Sequence, residues 1–283
     1  MAEDPVLLRG VTVAKPWGQE VWYSGVEARG ESGVYTTAGL VRLTRYLADR
    51  ARTRPVILLK ILQPTTGNLY LEVHETKSEV YIVDRIDGEG RMLLGARQEA
   101  LARMGEADFR AAVREAAAAA ESGRADIEVV QSFMNPLDLR LGDAVTIPLR
   151  VPHSLLRGVH VIEFQTPAFE RKILAASQPV ATQQGWDVDA AVAAMDLGVP
   201  PRVVSPAEDG VQIIARAPDF TVARYRLASG GSLGVPPWSL GWVVHGELRW
   251  RNRRFQARTA FLAPADTELG AVTDAEVLLA AET

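Results

Sequence analysis

Residues 70–84 read Tyr70-Leu-Glu-Val-His-Glu-Thr-Lys-Ser-Glu-Val-Tyr-Ile-Val-Asp84. Apolar Leu71, Val73, Val80 and Ile82 alternate with polar or ionisable residues. This period of two predicts two half-buried strands joined by a short turn. Residues two apart on a strand share a face, so Glu72 and His74 point the same way and can share one ion. Glu79, just past the turn, is placed to add a third ligand from the neighbouring strand, and His153 in Val151-Pro152-His153 a fourth from another. Nitrogen and oxygen donors in a chain without cysteine suit a borderline divalent metal, one ion per chain, with zinc the first expectation. A single strand histidine is more often structural than a ligand; the joint spacing of all four residues argues for the metal.

Upstream, Pro55-Val-Ile-Leu-Leu-Lys-Ile-Leu-Gln-Pro64 is a nearly continuous apolar run bounded by prolines, which suits a strand buried on both faces. It leads through the turn sequence Thr65-Thr66-Gly67-Asn68 into the Glu72 strand, so the ligands sit on central elements. Lys15-Pro16-Trp17-Gly18 near the start is a turn cluster. Downstream, composition shifts to Ala, Arg, Glu and Gln, with Leu101, Met104, Phe109 and Val113 spaced as a helical stripe. This predicts a helical insertion at about 96–122, divided by Gly105 and Asp108 into two short helices. Strands are expected to resume near 127–134, and Leu139-Arg-Leu-Gly-Asp-Ala-Val-Thr-Ile-Pro148 reads as a turn and a strand running up to His153. In residues 158–165, Val159, Val161, Glu163 and Gln165 fall on one face. A buried, unpaired acid on such a strand is costly, so Glu163 is expected to be exposed, paired or in a site.

The character changes after Arg171. Asp187 is a candidate N-cap for a helix beginning at Val188, followed by a linker with Gly198 and Pro200-Pro201. From Val203 onward, short strand-like runs recur with glycine turns, as in an all-β sandwich or barrel. Residues 241–247 match 79–85 in outline and Phe261-Leu-Ala-Pro264 matches Thr146-Ile-Pro148, but no ligand set recurs. His245, the lone histidine of that half, is read as structural. Of 283 residues, 31 are basic and 35 acidic, for a formal charge of −4. This balance lacks the basic footprint of nucleic-acid or anionic-membrane partners. With an acidic start, no cysteine and no apolar run long enough to span a bilayer, a cytoplasmic setting is expected.

The glycine, paired ligands and glutamate of the first stretch (Gly67, Glu72, His74, Glu79) and the later Gly142, Pro148 and His153 resemble the two metal half-motifs of the cupins. Two positions depart from that pattern: Glu72, where most cupins have histidine, and Arg150, where a glycine is expected. A doubled cupin with a helical insertion resembles, more narrowly, the type I mannose-6-phosphate isomerases. The residues that carry this resemblance are Lys15-Pro16-Trp17-Gly18, Leu58-Leu-Lys-Ile-Leu62, Glu72-Val-His74, Lys77-Ser-Glu79, Gly142-Asp143 through Pro148 to His153, and Glu163-Phe-Gln165 leading to Arg171. Glu75 stands where that family commonly has proline, and the loops after His74 and after Glu163 are short.

The resemblance implies a mainly β double cupin: residues 1–177 as an N-terminal domain with the metal site and the insertion, and 178–283 as a linker helix and a degenerate C-terminal cupin. It implies Glu72, His74, Glu79 and His153 as zinc ligands, and Glu163, Lys77 and Arg171 as residues facing a sugar phosphate. The implied activity is aldose–ketose isomerisation, mannose 6-phosphate to fructose 6-phosphate, with Glu163 the candidate acid/base and Lys77 its competitor. Arg171 suits the phosphate or a developing oxyanion. Two other classes compete: a non-catalytic cupin that binds a sugar or sugar phosphate, and a metal-dependent dioxygenase. Nothing in the residues speaks to the oligomeric state.

Overall fold

The alternating and continuous apolar runs of this chain assemble, in a computed structural model, into four antiparallel sheets and five helices among the described residues, 4–27, 30–52, 57–180 and 183–283. Residues 1–3, which carry the acidic start, and Pro55 and Val56, which open the apolar run, lie outside the described residues. A seven-stranded sheet runs Val203–Val204, Ala144–Ile147, Glu79–Ile86, Val159–Gln165, Leu58–Pro64, Gly18–Trp22, Val11–Lys15. It faces a five-stranded sheet, Met134–Asp138, Arg91–Ala96, His153–Leu155, Leu71–Val73, Lys172–Ala175, across a core containing Leu62, Tyr81, Met92, Leu94, Val161 and Ile173.

The second sandwich pairs an eight-stranded with a four-stranded sheet. The larger runs Gly210–Arg216, Phe220–Leu227, Ala275–Glu282, Ser239–His245, Thr259–Ala263, Val6–Arg9, Gly33–Thr36, Gly39–Arg42; the smaller runs Ser232–Val235, Thr267–Ala271, Glu247–Trp250, Arg253–Gln256. Between these two lie Val243, Leu248, Phe261, Leu269 and Leu279. The seven- and eight-stranded sheets stack back to back through Ile61, Ile82, Phe164, Trp242 and Leu278. Both can do so because their central strands alternate between two apolar faces, with Tyr81 and Val83 on one side and Ile82 on the other.

The halves also exchange strands. Val6 pairs with Leu262 in the eight-stranded sheet, while Val203 pairs with Val145 in the seven-stranded one. The first strand therefore belongs by hydrogen bonding to the sheet of the C-terminal half, although it precedes residue 177 in sequence.

Of the helices α1 (Leu43–Ala48), α2 (Gln98–Met104), α3 (Glu106–Glu121), α4 (Ile127–Gln131) and α5 (Val188–Ala194), the last four cover the outer face of the five-stranded sheet. Phe109 and Val113 of α3 and Val192 of α5 pack there with Val73 and Leu174. Gly105, at φ +78°, separates α2 from α3 as expected, whereas Asp108 lies within the first turn of α3 and divides nothing. Residues 127–131 form α4 rather than a strand. Val130 is β-branched, but it is drawn into the helical cluster with Phe109 and Val113, and burial overrides its propensity. Asp187 precedes α5 as predicted, yet its carboxylate makes no cap; it accepts from Ile173 N at 2.9 Å and Gln183 Nε2 at 2.8 Å. No helix among the described residues is long and apolar enough to cross a membrane.

Candidate metal centre

Glu72 and His153 lie directly opposite one another, because Leu71–Val73 and His153–Leu155 are antiparallel neighbours in the five-stranded sheet. His74 follows just beyond the end of its strand. Glu79 begins an inner strand of the seven-stranded sheet, so the turn at residues 75–78 is not a hairpin but a crossing from one sheet to the other. That differs from the expected neighbouring strand, and for a physical reason: both segments show period two, but each buries its inner face against the opposite sheet rather than beside the other segment. The crossing brings Glu79 over the Glu72–His153 pair from above.

The four side chains can each offer one ligand atom within 4.8 Å of all the others. His74 Nε2 is 3.2 Å from Glu72 Oε1 and 3.6 Å from Glu79 Oε1, and His153 Nε2 is 3.2 Å from Glu79 Oε2. Ligands of a tetrahedral zinc with bonds near 2.0–2.2 Å lie roughly 3.3–3.6 Å apart, so this spacing fits one ion. The hydrogen bonds support the same conclusion. His153 Nδ1 donates to Val151 O at 3.0 Å, which leaves Nε2 as the lone-pair nitrogen, turned inward. Among the described residues, neither ring nitrogen of His74 nor Nε2 of His153 has a hydrogen-bond partner although all three are buried. Orphaned buried nitrogens are costly, and a metal between the two rings would satisfy the Nε2 atom of each. The group fits one divalent metal ion, and no second such group occurs among the described residues.

The electrostatics are those of a crowded buried cluster. Burial keeps His74 below its ordinary pKa, with the charge of Lys77 adding to the effect. Burial would raise Glu79, but Lys77 and the two histidines overcome it and hold the carboxyl well below the usual range. Lys77 Nζ lies 2.5 Å from Glu79 Oε1, and the Tyr81 hydroxyl donates to Glu79 Oε2 at 2.9 Å. Buried Lys77 is raised above its ordinary value, because Glu79, Glu72 and Glu163 outweigh its desolvation.

Glu163 shares this interior. Its strand is buried along its whole length, and the side chain faces the five-stranded sheet, as its alternation predicts. Lys60, its cross-strand neighbour, sits 3.5 Å away and also reaches Gln165 Oε1 at 2.6 Å. Burial pushes the Glu163 carboxyl up to about 8, with nearby Glu79 adding to the rise and Lys60 opposing it. Arg171 stands farther out. Its guanidinium lies 5.1 Å from the Tyr70 ring centre and 5.8 Å from that of Phe169. Glu72, Glu79, Lys77, Glu163 and Arg171 all line one cleft, open to solvent at its mouth.

Sequence reading missed part of that lining. Lys60 was legible, since a lysine inside an apolar run raises the same question as Glu163 does on its strand. Glu20 was not. It is buried beside Lys15 (3.2 Å) and takes the Trp22 Nε1–H at 2.5 Å. Arg150 has φ +68°, the conformation for which glycine is favoured, and this accounts for the glycine expected there. Here the side chain is anchored by Nε donating to Ala194 O at 2.8 Å, and the backbone N–H holds the His74 carbonyl at 2.6 Å.

No protein-family model matches the sequence, and no curated protein matches it. Solved structures do match in fold. The mannose 6-phosphate isomerase of Bacillus subtilis superposes with a TM-score of 0.78 at 14% identity, over 99% of this chain and 100% of that one. A mutant of the phosphomannose isomerase of Salmonella typhimurium gives 0.78 at 13% identity, again over 99% and 100%. A zinc-bound holo form of a mannose 6-phosphate isomerase gives 0.77 at 14%, with the same coverage. The fold is the mainly β, cupin-like fold of these proteins, as the sequence motifs implied.

Proposed function

We propose that this chain is a metal-dependent aldose–ketose isomerase acting on a sugar phosphate, with mannose 6-phosphate and fructose 6-phosphate as the first pair. The observation that carries the reading is the convergence of Glu72, His74, Glu79 and His153 beside a cleft lined by Glu72, Glu79, Glu163 and Lys77. The division into residues 1–177, which hold the site, and 178–283, which hold none, is part of the same reading. Full-length likeness to solved mannose 6-phosphate isomerases supports it, and a chain without cysteine fits a cytoplasmic setting.

His74, His153, Glu72 and Glu79 would hold a zinc ion, which would supply a Lewis acid for the polarised substrate carbonyl. Isomerisation requires a proton to leave C2 of the aldose as one reaches O1, giving an enediol, and then a proton to arrive at C1 as one leaves O2; the carbon-bound proton needs a base beside the substrate. Glu163 is the group assigned to it. Its pKa, pushed to about 8, lies near a working pH, where a carboxyl can both take and return a proton. Lys60, at 3.5 Å, favours the ionised form that takes it. Lys77 is less suited to that role: paired with Glu79 and raised in pKa, it remains an ammonium and stabilises negative charge instead. Arg171 at the mouth is suited to the phosphate.

The test is solvent deuterium exchange. Metal-replete protein in D₂O with mannose 6-phosphate is expected to form fructose 6-phosphate carrying deuterium at C1. Binding of the sugar phosphate with no exchange, by wild type and Glu163→Gln alike, would refute the isomerase reading.

A further inference from the structure

Two residues, Glu75 and Thr76, separate the ligand His74 from Lys77, and both of their backbone N–H groups donate to a single oxygen. That oxygen is Glu170 Oε2, at 2.7 Å from Glu75 N and 3.0 Å from Thr76 N. The Thr76 hydroxyl reaches it at 3.4 Å. Glu170 Oε1 takes Lys172 Nζ at 3.1 Å, and Lys172 also pairs with the Glu75 carboxylate. Burial would raise the Glu170 carboxyl, but the two backbone donors and Lys172 overcome it and lower the pKa, so the group is a charged acceptor at neutral pH. Such charge-assisted bonds are directional and stronger than neutral ones.

The connections matter because of what lies at each end. Glu170 is flanked by Phe169 and Arg171 on the segment that lines the mouth of the cleft. The turn that it grips carries a metal ligand at one end and Lys77 at the other. The His74 carbonyl is already held from the other side by Arg150 N at 2.6 Å. A second tie joins the same two segments, since Thr166 N donates to Ser78 O at 3.0 Å and Ser78 N to Thr166 Oγ1 at 3.2 Å.

We propose that Glu170 is a positioning residue: it staples the turn between His74 and Lys77 to the segment bearing Arg171, and so sets the spacing of one ligand and two cations around the cleft. The metal arm of this proposal needs no substrate; the kinetic arm rests on the isomerase reading. Because one oxygen takes both N–H groups, Glu170→Gln can keep those bonds through its amide oxygen, whereas Glu170→Ala loses them.

Zinc affinity of the full chain, measured by competition with a chelator, is expected to fall about ten-fold or more in Glu170→Ala, as for other groups that orient metal ligands, and to stay within about three-fold in Glu170→Gln. kcat/KM is expected to fall about ten-fold or more in Glu170→Ala with most of the loss restored in Glu170→Gln. Unchanged zinc affinity in Glu170→Ala overturns the proposal. So does an equal loss in both variants, which would make charge rather than hydrogen bonding the cause. If Glu170→Ala does not fold, amide exchange of the wild type decides: Glu75 and Thr76 should be protected, and fast exchange at both overturns the staple. A wild type that turns over no sugar phosphate defeats the isomerase reading alone, because zinc competition still judges Glu170.

Discussion

In the first sandwich Glu163 lies between Tyr81 on one neighbouring strand and Lys60 on the other; at the matching register in the second, Leu279 lies between Gly241 and Ala223. The match follows from the sheets themselves. Each large sheet has an inner strand (Glu79–Ile86 or Ser239–His245) flanked by equivalent partners, and both of these strands have a register shift near the same end, between Val83 and Arg85 and between Val243 and His245. By this register Gly241 corresponds to Tyr81, two residues along from the sequence match to Glu79, and Ser239 corresponds to Glu79. The small sheets agree too: the strands carrying Glu72 and His153 correspond to Ser232–Val235 and Thr267–Ala271, whose Leu233, Val235 and Leu269 are buried.

One strand plan thus supports a polar cleft in one copy and a closed apolar core in the other. The space that the cleft occupies in the first half is filled in the second by aromatic side chains. A Cβ on Gly241 would meet the Phe261 ring at 2.0 Å, and Phe261 packs on Phe255 with ring centres 5.2 Å apart. Buried charges are expensive unless paired, so a cluster such as Lys60, Lys77, Glu79 and Glu163 is a burden on stability. A closed copy, stacked back to back on the open one, offsets it with apolar burial.

The largest expected contrast is in metal content. His74→Ala or His153→Ala should reduce bound zinc from one per chain to none by elemental analysis, while His245→Ala, at an exposed strand end, should leave it at one. A second ion, or one lost with His245, would break the contrast between an open and a closed copy. Next is the core that closes the second half. Phe261→Ala should cost about 3–5 kcal/mol in urea unfolding, the usual loss for a buried Phe, and zinc stoichiometry should not change. A cost under about 1 kcal/mol would mean that the second core is not close-packed. Glu163→Gln should lower kcat by about a hundred-fold, roughly 2.7 kcal/mol in barrier, with zinc retained; intact turnover would move the proton transfer away from this residue.

The smallest effect concerns pH. Burial raises Glu20, but Lys60, Lys15 and the Trp22 N–H outweigh it, so its folded pKa lies below its ordinary 4.5. The carboxylate therefore contributes stability that is present above about pH 4.5 and is lost as pH falls through the folded value. In Glu20→Gln, the decline of the urea midpoint below that pH should be shallower than in wild type. An identical decline would place the acid sensitivity elsewhere than at the Glu20 end of the cleft.

Local pattern determined a good deal of this protein. The four ligand types at their spacings, the inward face of Glu163, the helical insertion and most second-half strands are legible because side-chain period and turn residues are properties of neighbouring residues. Period two gives the parity of a face but not its partner. Tertiary structure alone decided that Glu79 comes from the sheet opposite Glu72, that Val6–Arg9 crosses to the C-terminal sheet, and that α4 is a helix despite its valines. The same holds for the pairing of Lys60 with Glu163, about a hundred residues on, and for the left-handed backbone of Arg150, whose side chain is anchored at the end of α5. Each of these depends on which apolar faces meet, and that is settled by burial summed over the whole chain rather than within any one stretch of it.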